Sequence, residues 1–178
     1  DLAFTMHMLY HLSETGTCAI VEFPGVLYRG GAEKKIREYL IKNNFVDTVI
    51  QLPANLFFGV GIATCIIVIK KNKKDNNILF VDASEEFVKK GDKNKLEDKN
   101  QNRIVNAYQE RKEEQYFTKL VSNDEVLANG ANLSVSSYVE KEDKREVIDI
   151  VALNEEIEAL SKDVRNRSVE LDEMIKEL

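Results

Sequence analysis

Residues 46–71, VDTVIQLPANLFFGVGIATCIIVIKK, restrict the fold more than any other stretch of the chain. Two runs dense in β-branched and apolar residues, 46–52 and 64–70, have the length and composition of buried strands. Pro53 stops the first run, and residues 53–63 then form a loop that carries Phe57 and Phe58 beside Gly59 and Gly61. Ordinary connections are polar. Adjacent rings between two core strands therefore have two outcomes: they pack beneath the loop, or they are displayed to something flat that docks there.

The flanking segments suggest what these strands belong to. Residues 2–12 read as a helix with Leu2, Phe4, Met6, Met8, Leu9 and Leu12 as its apolar set, closed by Gly16. A strand over 17–23 ends at Pro24, and a loop over 24–31 leads into a helix over 32–44. That helix is expected to turn Ile36, Tyr39 and Leu40 inward and Glu33, Lys34, Arg37 and Glu38 outward. A strand, helix, strand unit of this kind makes 46–52 the parallel neighbour of 17–23.

Further on, 72–77 is a polar turn before a strand over 78–82, and 85–101 is rich in Lys, Asp and Asn with almost no apolar periodicity. This second segment is expected to be a mobile surface loop. A helix over 101–115 follows, with Ile104, Val105 and Tyr108 inward, then an apolar segment over 117–121. Ser122, Asn123, Asp124 and Glu125 suggest a capped turn, and Asn129, Gly130 and Asn132 another.

The strongest periodicity lies at the end. Ile150, Leu153, Ile157, Leu160, Val164, Arg167, Leu171, Met174 and Leu178 are spaced alternately by three and four. Such a stripe is a coiled-coil seam for a partner helix, or else one face of a helix packed back on its own domain.

Charge divides the chain. The total is −6; residues 1–80 hold nine basic against seven acidic residues, so the remaining residues hold sixteen against twenty-four. The net charge argues against binding nucleic acid by overall charge alone, and a nucleic-acid surface, if the chain has one, is expected in the first half. No stretch reaches the twenty apolar residues of a membrane helix and no signal peptide is evident, so a soluble cytoplasmic protein is expected.

Chemistry-bearing residues are few. Cys18 and Cys65 sit in apolar strands, as small hydrophobes do. His7 and His11 stand four apart without a third ligand, and Gly59-Val60-Gly61 precedes a strand rather than opening a helix, so no metal or dinucleotide site is expected. Arg29, Gly30 and Gly31, at the start of the second helix, are either a candidate phosphate contact or a tight turn with a surface Arg.

The segments 3–12 and 19–40, together with LPANLFFGVGIATCIIVIKK, ILFVDAS and ANLSVSSYV, resemble the second half of the modification subunit of type I restriction-modification systems. The resemblance spans roughly residues 2–140; VLYRGGAEKKIREYL and LPANLFFGVGI are its most specific parts. It implies an α/β fold, the second half of a Rossmann-like S-adenosylmethionine-dependent methyltransferase sheet with a C-terminal coiled-coil-like helix. The parts would be 1–84 as the C-terminal half of the catalytic domain, 85–101 as a charged loop, 102–140 as the end of the domain and 141–178 as a helical tail for assembly.

The implied activity is site-specific DNA adenine N6 methylation, in which the target base leaves the duplex and stacks on an aromatic of the loop before the strand. Phe57 matches that position by its spacing from Ile62, with Phe58 in reserve. Arg29, Gly30 and Gly31 become a candidate DNA phosphate contact. The family's glycine-rich S-adenosylmethionine loop and its Asn-Pro-Pro-Phe motif are expected upstream of Asp1. The only prolines are Pro24 and Pro53, so this portion alone is expected to transfer no methyl group.

The implied partners are double-stranded DNA, the specificity subunit, met by Ile150, Leu153, Ile157, Leu160, Val164, Leu171, Met174 and Leu178, and the restriction subunit. The strand 17–23 is expected to have an unpaired edge open to self-association. The alternative reading is a non-catalytic interaction and assembly module.

Overall fold

The computed structural model describes residues 1–142 and 149–176 and divides into two compact units, Asp1–Glu142 and Asp143–Leu178. The first unit is α/β. Its sheet has the order β1-β3-β2-β4-β7, from Thr17–Glu22 (β1), Val46–Gln51 (β2), Cys65–Lys70 (β3), Asn77–Asp82 (β4) and Thr118–Ser122 (β7). A two-stranded ribbon, Val88–Lys90 (β5) and Lys93–Lys95 (β6), stands apart from it. Four α-helices belong to this unit: Leu2–His11 (α1), Ala32–Lys42 (α2), Asp98–Glu110 (α3) and Asn123–Ala128 (α4).

Strand alternation divides the core into two layers. Cys65, Ile67, Ile69, Ile78 and Phe80 face one side, where Leu2, Leu9, Leu40, Ile41 and Val126 from α1, α2 and α4 cover them. Ile50, Leu79 and Val81 face the other, under Ile104 of α3 and Phe117. Among the described residues, no helix is long and apolar enough to cross a membrane.

Four expectations need correction. First, β2 is not the neighbour of β1: β3 inserts between them and pairs antiparallel with both, while the parallel neighbour of β2 is β4. β1 and β2 do run in the same direction, so the helix crosses over one intervening strand instead of joining adjacent ones. The chain returns through the aromatic loop to fill the gap. β1 is consequently a terminal strand, with one edge lacking a partner among the described residues.

Second, Arg37 is not on the outer face of α2. It is 1% exposed, and its Nε and Nη1 donate to the carbonyls of Ala131 and Val26, each at 2.8 Å. Burial pulls its pKa down, against the opposing pull of Glu33 and Glu38. A guanidinium has enough fixed donors to satisfy two loop carbonyls at once, so the charge belongs to the packing of α2 on those loops. Tyr39 is exposed instead, and Ile41 takes its place in the core.

Third, residues 85–101 are not a structureless loop. They form the ribbon and the start of α3, which opens with a capping box between Glu97 and Asn100. Asn100 donates to Glu86 at 3.2 Å, and Arg103 pairs with the same carboxylate at 3.0 Å. Polar pairing, invisible to apolar periodicity, supplies the order.

Fourth, α3 ends at Glu110, and Val105 is exposed on it rather than inward. The stop is Arg111, which takes left-handed backbone (φ 50°) and reaches the buried Asp47 carboxylate at 3.2 Å. The capped turn at Ser122 is present as the start of α4, its hydroxyl accepting from the Glu125 N–H at 3.2 Å.

The second unit contains one long helix, Ile150–Lys176 (α5). Asp149 caps it, its carboxylate accepting from the N–H groups of Val151 and Ala152 at 2.9 and 3.2 Å. The seam side chains Ile150, Leu153, Ile157, Leu160, Val164, Leu171 and Met174 are between 45% and 70% exposed. Leu178 lies outside the described residues.

Candidate functional site

β1, β2 and β4 share one direction, so the segments that leave their carboxyl ends emerge at one end of the sheet. These are the loop carrying Arg29, Gly30 and Gly31, the aromatic loop, and the segment that contains the ribbon. In open α/β sheets the carboxyl ends of the strands are the usual place for a ligand.

The neck of the aromatic loop is closed by backbone and side-chain bonds. The Leu52 N–H donates to the Thr64 carbonyl at 2.9 Å, and the Gln51 side-chain amide donates to the same oxygen at 3.2 Å. Beyond the neck, Leu56 packs down against the layer beneath α3, leaving Phe57 43% and Phe58 98% exposed. The loop's apolar content therefore has two uses. Leu56 anchors it, and the two rings are displayed. Gly59 has φ 72°, a backbone that favours glycine, where the chain turns from Phe57 back to Val60 through an N–H to carbonyl bond of 3.2 Å.

Phe57 and Phe58 differ in surroundings. Phe57 lines a cleft of about 240 Å³ together with Val60 and Thr64 of its own loop, Val21, Glu22 and Phe23 at the end of β1, and Asp1. Phe58 does not line it. Val21 and Phe23 are half exposed, so the cleft has apolar walls from both loop and strand. Thr64 is buried, and its hydroxyl finds no hydrogen-bond partner among the described residues. A buried hydroxyl without a partner costs free energy. Cys65, next in the chain, is not a nucleophile: burial, with a smaller contribution from Glu22, pushes its thiol up to about 12.

Sequence reasoning missed Phe23, Val21 and Thr64. Phe23 carried a faint signal as an aromatic at a strand end before a proline. Arg29, Gly30 and Gly31 are exposed at this end of the sheet but do not line the cleft. The Arg29 guanidinium folds back over Gly25, close enough that a Cβ there would meet it at 2.7 Å.

The N-6 DNA methylase family matches residues 1–147. The type I restriction enzyme MpnII methylase subunit of Mycoplasma pneumoniae is 46% identical over 180 residues, covering 99% of this chain and 33% of that protein. The MjaVII methylase subunit of Methanocaldococcus jannaschii is 33% identical over 98% of this chain and 30% of that protein. The chain thus spans about a third of the length of the curated relatives it matches. Among solved structures, the type I restriction-modification methyltransferase subunit from Streptococcus thermophilus superposes with a TM-score of 0.77 at 42% identity, over 79% of this chain and 30% of that one. The chain belongs to the N-6 DNA methylase family.

Proposed function

We propose that this chain is the part of a type I modification subunit that receives the target adenine, and that the full-length protein is a site-specific DNA adenine N6 methyltransferase. The observation that carries the reading is the cleft beside Phe57: a half-exposed ring on an anchored loop, with apolar walls at Val21, Phe23 and Val60. A base swung out of the duplex loses its stacking neighbours, at a cost of a few kcal/mol. Stacking on one aromatic returns on the order of 1 to 3 kcal/mol. Phe57 is the stacking residue in this reading, and Phe58 is free to meet the duplex. Arg29, Gly30 and Gly31 are a second candidate contact, to DNA phosphate.

The test is a duplex with 2-aminopurine at a mismatch, where extrusion is cheapest. Binding is expected to change the probe's fluorescence several-fold; a bound duplex with unchanged emission would overturn the reading.

The methyl donor implied by this reading, S-adenosylmethionine, does not fit the cleft: its polar lining is Asp1, Glu22 and Thr64, with no cationic side chain to meet a methionine carboxylate. Its binding belongs, in this reading, to other parts of the full-length protein. The chain alone is expected to transfer no methyl groups. Radiolabel passing from S-adenosylmethionine to DNA in the presence of the purified chain would refute this.

Partners follow from the same reading. They are the specificity subunit, through the exposed seam of α5, and the restriction subunit in the assembled complex. The open edge of β1 is proposed to pair with another strand, which in the isolated chain means self-association. Sedimentation velocity at rising concentration should show dimers; a monomer throughout would reject the pairing.

A further inference from the structure

We propose that the ribbon β5–β6 is a DNA-backbone clamp that holds the duplex phosphates next to the extruded base, and this rests on the reading of the aromatic loop given above. Residues 88–95, VKKGDKNK, hold four lysines and one aspartate, a local excess of positive charge in the acidic part of the chain. Their fold places the ribbon, and the Lys93 ammonium with it, at the aromatic loop. The Asn94 N–H donates to the Asn55 carbonyl at 3.1 Å, the Asn94 side-chain amide donates to the Ala54 carbonyl at 2.9 Å, and Lys93 Nζ donates to the Phe57 carbonyl at 3.3 Å. Three bonds thus tie the ribbon to the backbone that displays Phe57.

The pairing within the ribbon is unusual for a structural element. Lys90 stands directly opposite Lys93, across a turn in which Gly91 has φ 61°. Like charges directly opposite one another destabilise an antiparallel pair, and a two-stranded ribbon has little stability to spare. Lys90 is relieved by Glu97 at 3.4 Å and Lys93 by the Phe57 carbonyl. Lys89 and Lys95 are exposed, and neither has an ion-pair partner among the described residues. Burial does not explain such a ribbon, since its side chains are exposed or only partly covered. A polyanion beside the loop does. An enzyme that extrudes a base must also grip the strand that carries it, and phosphate contacts fix register and orientation without reading sequence. The occupant is the phosphodiester backbone of a duplex.

The experiment measures the salt dependence of duplex binding by the full chain and by the double variant Lys89→Gln, Lys95→Gln, with the 2-aminopurine signal read in the same titration. Each phosphate contact contributes about 0.9 to the slope of log K against log salt. The double variant should therefore lose a slope of about 1.8, and about tenfold in affinity per lysine near 0.1 M salt. Its 2-aminopurine change at saturation should be retained. An unchanged slope, or no measurable binding of duplex by the unsubstituted chain, overturns the clamp. The two readings separate cleanly. A lost slope with no 2-aminopurine change in either protein keeps the clamp and rejects the base pocket, whereas a 2-aminopurine change with an unaltered slope does the reverse.

Discussion

Phe57→Ala is expected to abolish the 2-aminopurine change while leaving the chain folded and still able to bind duplex. The ring is 43% exposed, so its removal deletes little buried area. Leu56 and the hydrogen bonds at Gln51, Leu52 and Asn94 continue to hold the loop. What disappears is the surface proposed to receive an extruded base. A stacking contribution of about 1 to 3 kcal/mol corresponds to roughly a 5- to 150-fold fall in the extruded population, enough to return the probe to the stack. Phe58→Ala is the informative contrast. It removes a more exposed ring, 98% accessible, yet one that does not line the cleft, and it should leave the signal at saturation intact. If the two substitutions act in the reverse sense, the stacking role passes to Phe58. If neither matters, the loop displays its rings to something other than a base. Phe23→Ala tests the opposing wall and should weaken the signal less than Phe57→Ala, because an edge contact covers less of a base than a stacked ring.

Much of this site was legible from residue order, for identifiable reasons. The runs that became β2, β3 and β4 are β-branched and buried on both faces, which yields continuous apolar stretches that read unambiguously. The aromatic loop was visible because apolar residues rarely gather where a chain turns. Its anchor was not visible. Leu56, Phe57 and Phe58 are three consecutive apolar residues, and nothing local distinguishes the one that points down from the two that point out. The insertion of β3 between β1 and β2 was hidden for a different reason. A strand, helix, strand pattern is equally satisfied by adjacent strands and by strands with a gap, and only the return of the chain through the loop decides. The ribbon and Arg37 escaped because both depend on polar groups meeting backbone carbonyls far away in sequence. Arg37 reaches Ala131 and Asn94 reaches Ala54, pairings that leave no periodic trace. The segment least legible from composition thus lies against the segment most legible from it.

Ile157→Asp combined with Leu160→Asp in the full-length protein should abolish co-purification with the specificity subunit. Both residues belong to a seam spaced alternately by three and four along a helix of 27 residues, about 40 Å long, and they are 51% and 59% exposed. An amphipathic stripe of this length is stable in a partner's groove because each Leu or Ile it buries contributes about 1.5 to 3 kcal/mol. Two carboxylates in the middle of the stripe remove two such contributions and add desolvation penalties of several kcal/mol each. The combined loss exceeds what most transient complexes possess, so the expected result is absence of the partner rather than weaker binding. Charge reversal off the stripe, Glu158→Lys with Lys162→Glu, alters the helix to a similar degree and should leave co-purification intact. Arg167 is the one polar member of the stripe, paired with Asp163 at 3.0 Å. A single polar residue in an apolar seam sets the register of a helix pair at some cost in stability. That is the arrangement expected of a contact that must fix one helix at a defined position along another. Unchanged co-purification of the double Asp variant would remove the seam from that role, leaving the first unit as the part of this chain to examine for subunit contact.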